Sequence, residues 1–91
     1  MSNNTFVKDP DSTLDYQVDW SDWMAESDTI ADSAWTVPDG ITKASDTYDA
    51  TTATIWLSGG SAGSSYEVVN RITTQDSRVD ERALMIMVME R

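Results

Sequence analysis

Between Leu14 and Trp20 the chain alternates without exception: Leu14, Tyr16, Val18 and Trp20 are apolar, and Asp15, Gln17 and Asp19 are polar. A period of two puts all the apolar side chains on one face of an extended segment, whereas a helix would scatter them around its circumference. The segment reads as a half-buried strand, and a sheet with one apolar face needs a second layer to cover it.

The same pattern returns downstream. In residues 52–58 Ala53, Ile55 and Leu57 point one way and Trp56 the other; in residues 66–74 Tyr66, Val68 and Ile72 oppose Val69 and Arg71. Between residues 29 and 37 the apolar positions Ile30, Ala34, Trp35 and Val37 change phase midway, as a β-bulge requires. Residues 41–47, rich in Thr and β-branched side chains, add another strand.

Turn chemistry separates these runs. Pro38-Asp39-Gly40 supplies a fixed first dihedral and a positive second one, predicting a hairpin reversal. Lys8-Asp9-Pro10-Asp11, Tyr48-Asp49-Ala50 and residues 75–78 mark further turns, and residues 21–28 read as a loop that tucks Trp23 inward. The SGGSAGSS run at 58–65 has neither the Lys nor the strand-to-helix setting of a phosphate loop and reads as a flexible connection.

The last run, ALMIMVMER at residues 83–91, is apolar on both faces if extended: Leu84, Ile86 and Val88 on one, Met85, Met87 and Met89 on the other. As a helix it would be apolar all round, so a strand with two defined faces is the better reading. Six to seven short strands with no convincing helix predict a single all-β, immunoglobulin-like sandwich over residues 14–91, preceded by a polar N-terminal arm at 1–13. At 91 residues one core suffices. Its expected members are Leu14, Tyr16, Val18, Trp20, Trp35, Val37, Ile55, Leu57, Val68, Ile72, Leu84, Ile86 and Val88.

Chemistry is poorly provided for. With no Cys and no His, the chain lacks a thiolate, the commonest metal ligand and the side chain best matched to proton transfer at neutral pH. Neither catalysis nor a cofactor is expected. Asp9, Asp11 and Asp15 offer oxygen ligands without the Gly and distal Glu of a calcium loop, and an Asx turn into the first strand accounts for them better. A net charge of -10 with six basic residues rules against direct nucleic-acid binding. No apolar run approaches the ~20 residues of a membrane span. Arg71, Arg78 and Arg82 near Asp80 and Glu81 suggest exposed cross-strand ion pairs.

The order of landmarks is itself distinctive: Lys8-Asp9-Pro10-Asp11, Leu14-Asp15-Tyr16, Asp19-Trp20, Trp35-Thr36-Val37-Pro38, Trp56-Leu57-Ser58-Gly59-Gly60, and Asn70-Arg71-Ile72-Thr73-Thr74 ahead of Asp80-Glu81-Arg82. From about Lys8 to Arg91 the chain resembles small virion structural proteins encoded in the structural gene clusters of tailed bacteriophages and prophages. The resemblance implies a virion component without enzymatic activity. Proteins of this kind recur as capsid decoration or cement subunits, at head-tail joints, in tail tubes and in fibres.

The methionine row favours an interface. Met85, Met87 and Met89 are flexible and polarisable, and an apolar row opposite the core face suits contact with a neighbour unless a loop carrying Trp23 covers it. Phe6 and Val7 are the anchors available to the N-terminal arm. The leading expectation is a capsid decoration or cement protein on the capsid surface, assembled in the host cytoplasm. In that reading it is a symmetric homo-oligomer, a trimer by preference, bound to the major capsid protein or other virion subunits. A head-tail or tail-associated subunit is the second expectation, and a glycan-binding module using Trp20, Trp23 or Trp56 the third.

Overall fold

The computed structural model describes residues 4–25 and 27–90. Seven strands follow one another: β1 (Asn4–Lys8), β2 (Thr13–Asp19), β3 (Ile30–Thr36), β4 (Ile41–Tyr48), β5 (Thr52–Gly59), β6 (Ser65–Thr74) and β7 (Val79–Val88). They form two sheets, β1-β7-β6-β3 and β2-β5-β4, with no helix among the described residues. Every pairing is antiparallel except that of β1, which runs parallel to β7 from Asn4 beside Leu84 to Lys8 beside Val88.

The all-β sandwich is what the alternation implies. The two sheets set β2-β5-β4 against β7-β6-β3, with β1 added at the β7 edge and no cysteine for an inter-sheet disulfide. Residues 4–8, expected to belong to a polar arm, form the edge strand β1; residues 1–3 of that arm lie outside the described residues. Pro38-Asp39-Gly40 does reverse the chain, with Gly40 at φ 102°, but it makes no hairpin. β3 pairs with β6 and β4 with β5, so the turn carries the chain from one sheet to the other. Local turn chemistry fixes a change of direction; the partner strand is set by packing elsewhere.

Inside, Tyr16, Val18, Trp20, Ile55, Leu57, Val68, Ile72, Leu84, Ile86 and Val88 are buried, together with Ile30, Ile41, Ala53 and Tyr66. Trp35 and Val37 pack partly buried against this cluster. Leu14 departs from the expected core: it is 39 % exposed near the start of β2, the edge strand of its sheet, while its neighbour Leu57 on the central strand is fully buried. The phase change in β3 is a bulge, with register shifting between Ile30 and Asp32.

One polar contact joins the two sheets through the core. Trp20, just past β2, donates its indole Nε1–H to Asn70 Oδ1 at 2.9 Å, and Asn70 Nδ2 donates to Ser33 Oγ and to the Ala34 carbonyl on β3. Both Trp20 and Asn70 are fully buried, so each supplies the partner that the other could not obtain from water. Arg82 closes the arrangement, its guanidinium 4.4 Å from the Trp20 ring centroid and its Nη1 donating to the Asp19 carbonyl.

Three carboxylates order the turns. Asp19 accepts the Ser21 amide, Asp49 accepts those of Thr51 and Thr52, and the buried Asp28 takes Thr29 at 2.9 Å and Asp76 at 3.2 Å on Oδ1. Asp28 thereby ties the 21–28 loop to the β6–β7 turn. The Thr74 hydroxyl contributes most to holding its carboxyl below the ordinary range, and it does so across a loose contact, since Oδ2 has no hydrogen bond of regular geometry. The amides of Asp76 and Thr29 and the charge of Arg78 add to this, against burial. The Ser21 amide lowers Asp19 and the Thr51 amide lowers Asp49 in the same sense.

Two outcomes follow from these contacts. Asn70→Ala leaves the buried indole N–H without an acceptor and lowers stability by about 1–3 kcal/mol, read from urea midpoints at unchanged slope. Because the three folded carboxyls bind protons less tightly than unfolded ones, their stabilisation is complete above the unfolded pKa and is lost as pH falls through the folded values. Urea midpoints measured downward from about pH 5 decline below roughly pH 4, and Asp28→Asn flattens that decline.

Candidate functional site

The last strand sends Leu84, Ile86 and Val88 into the core, so its alternate residues must face outward. Parallel pairing sets β1 beside them in register, Thr5 next to Met85 and Val7 next to Met87, while antiparallel β6 places Glu67 and Ser65 on the other side. Val7, Met87 and Met89 are 42 %, 38 % and 47 % exposed, and Met85 is half-buried. Val69 and Ala83, paired across β6 and β7, prolong the apolar stripe toward the Arg71–Glu81 pair, an exposed contact of 3.6 Å. Phe6 behaves differently from its neighbour: it turns inward and packs partly buried, its ring centroid 5.1 Å from that of Tyr16.

At one end of the stripe the surface dips into a groove of about 220 Å³ lined by Gly63, Ser64, Ser65, Met87, Val88 and Met89. Backbone bonds build its floor: Gly63 N–H donates to the Val88 carbonyl at 2.7 Å, Val88 N–H to Ser64, and Met89 N–H to Lys8. Gly60 lets the connecting loop approach this closely, since a Cβ there would lie 2.7 Å from Val88 Cγ2 at a φ of 96°. Lys8 locks the other side. It is fully buried, and its ammonium donates to the Gly59 carbonyl at 2.7 Å and to the Asp9 carbonyl at 2.9 Å. Burial lowers its pKa, opposed by the charges of Asp9 and Asp11.

Among the described residues no loop covers the outer faces of Met87 and Met89. Trp23 packs edge-on against Trp20 at 5.4 Å, at the end of β7 where Arg82 lies, well away from Met87. Of the tryptophans considered as sugar platforms, Trp20 is fully buried and Trp23 half-buried; Trp56 is 40 % exposed. Asp9 accepts the Asp11 amide in an Asx turn leading to β2, and no group of three potential metal ligands gathers among the described residues. The groove, Val69 and Lys8 were not among the candidates from sequence. Strand parity through Val69-Asn70-Arg71 could have found Val69, whereas the burial of Lys8 depends on the distant carbonyl of Gly59.

The strand orders and burial define a small two-sheet β-sandwich that exposes an apolar stripe along β1 and β7. The chain belongs to a phage virion family: the model of the podophage GP4 fiber-tail adaptor protein gp77 family matches residues 8–87. The protein is a phage virion structural protein and part of the virion. Among curated proteins none matches it.

Substitutions separate surface from core. Met87→Asp leaves the thermal midpoint nearly unchanged, within the roughly 0.5 kcal/mol expected of an exposed position, whereas Ile86→Ala on the opposite face costs about 2–5 kcal/mol.

Proposed function

We propose that this protein joins fibre to tail in the virion and docks one of these two partners through the outer face of β1-β7-β6-β3. The observation that carries the reading is the exposure of Val7, Met87 and Met89 together beside the groove at residues 63–65. Apolar area gains about 25 cal/mol per Å² on leaving water, and thioethers adjust to an imperfect partner surface. A soluble monomer has no use for such a row, while a subunit joint does.

The description of the family as a fiber-tail adaptor supports the tail-associated role over capsid decoration, which the sequence alone put first. Tail and fibre subunits accordingly replace the major capsid protein as the partners of this reading. Catalysis has no part in it, since the work is done by contact area. A symmetric homo-oligomer suits the role, because each copy repeats the same face around a tail or fibre axis.

The test is retention of fibreless tails and of purified fibres on the immobilised protein. Wild type retains both, and Met87→Asp loses one of them by roughly tenfold or more in affinity. Binding to tailless capsids instead, or loss of nothing in Met87→Asp, defeats the reading.

A further inference from the structure

We infer that the opposite face of the sandwich, the outer side of β2-β5-β4, is a second docking surface that takes an arginine-bearing protein segment on Trp56. The inference rests on the adaptor reading, since a joint between two partners needs two surfaces, but it is drawn from a different set of residues.

Trp56 occupies the middle of the central strand of that sheet and is 40 % exposed. Register places Asp15 directly beside it on β2 and Ser45 on β4. The other outward positions are hydroxyls, an amide or acid: Thr54 lies between Gln17 and Thr47, and Thr52 beside Asp19. No Lys or Arg takes an outward position on the three strands. Their one cation, Lys43, is in register with inward-facing Leu57 and is engaged by Asp46 at 2.9 Å. The face therefore carries the charge of Asp15 beside Trp56 with no cation on its own three strands to meet it, whereas Asp19 at the end of β2 is met by Arg82, within a protein of net charge -10.

A large ring isolated among hydrogen-bonding groups does not form an apolar patch, so the occupant cannot be another greasy strip. It must bring positive charge and a flat surface able to lie on an indole. Guanidinium meets both demands: it stacks on Trp while its N–H groups reach a carboxylate alongside, whereas an ammonium gives a point charge without the stacking plane. The two docking faces lie on opposite sides of a molecule measuring 42 × 24 × 19 Å, so both partners can be held at once. Their chemistry differs, one apolar and one charged, which prevents either partner from taking the place of the other.

The experiment compares wild type, Met87→Asp, Trp56→Ser and Asp15→Lys for retention of fibreless tails and of fibres at low and high salt. The expected result is a division: Met87→Asp loses one partner, Trp56→Ser and Asp15→Lys lose the other by roughly tenfold or more, and added salt weakens only the second. Retention of both partners by Trp56→Ser and Asp15→Lys overturns the inference. So does a loss in Trp56→Ser that is indifferent to salt and is reproduced by competing soluble oligosaccharide, which assigns the face to a glycan. If wild type binds neither tails nor fibres, the adaptor reading itself fails, and a hexa-arginine peptide decides the surface alone. A shift of the Trp56 indole resonance, identified by its loss in Trp56→Ser and weaker with hexa-lysine, sustains the inference; no shift overturns it.

Discussion

The hydrogen bond from the Trp20 indole to Asn70 is the contact on which the rest of the sandwich turns. Hydrophobic burial is indifferent to direction and would let two small sheets slide over each other, but a buried donor with one acceptor permits a single alignment. Asn70 spends three of its four bonding capacities on Trp20 beyond β2 and on Ser33 and Ala34 on β3, so the register of three strands is set at one side chain. Arg82 over the indole then brings β7 into the same alignment. The outward phase of the methionines is a consequence, because β7 cannot shift by one residue without turning Leu84, Ile86 and Val88 into water.

Much of this was legible wherever a face is decided by parity. Leu14 to Trp20 and Ala53 to Leu57 alternate because each strand has one covered side, and the bulge in β3 shows as a break in that alternation at Ala31. What the sequence could not disclose is pairing at a distance. The Pro38-Asp39-Gly40 signal is local and the same whether the next strand returns to its neighbour or crosses to the other sheet. The role of residues 4–8 depends on β7, almost the full length of the chain away, and the pattern of Phe6-Val7-Lys8 is too short to declare it. Leu14 continues its strand's alternation perfectly and is exposed all the same, near the start of an edge strand.

The functional surfaces divide along the same line. The methionine row announces itself, since an extended run with two apolar faces needs an explanation for both. Trp56 is visible as an outward residue, yet its meaning comes from Asp15 and Ser45, which only strand register brings alongside. Burial of the Lys8 charge against the carbonyl of Gly59 at the end of β5 ties the β1 edge of one sheet to the central strand of the other.

The parallel pairing of β1 with β7 has a mechanical consequence. A pull directed out along β1 at Asn4 and out along β7 at Val88 acts in opposite senses along two adjacent strands. The bonds between Asn4↔Leu84 and Lys8↔Val88 are then loaded together, in shear, and must fail as a group, whereas strands peeled apart at one end give way one bond at a time. A fold closed by such a seam resists being opened from its first and last strands more firmly than one closed by a pair that peels.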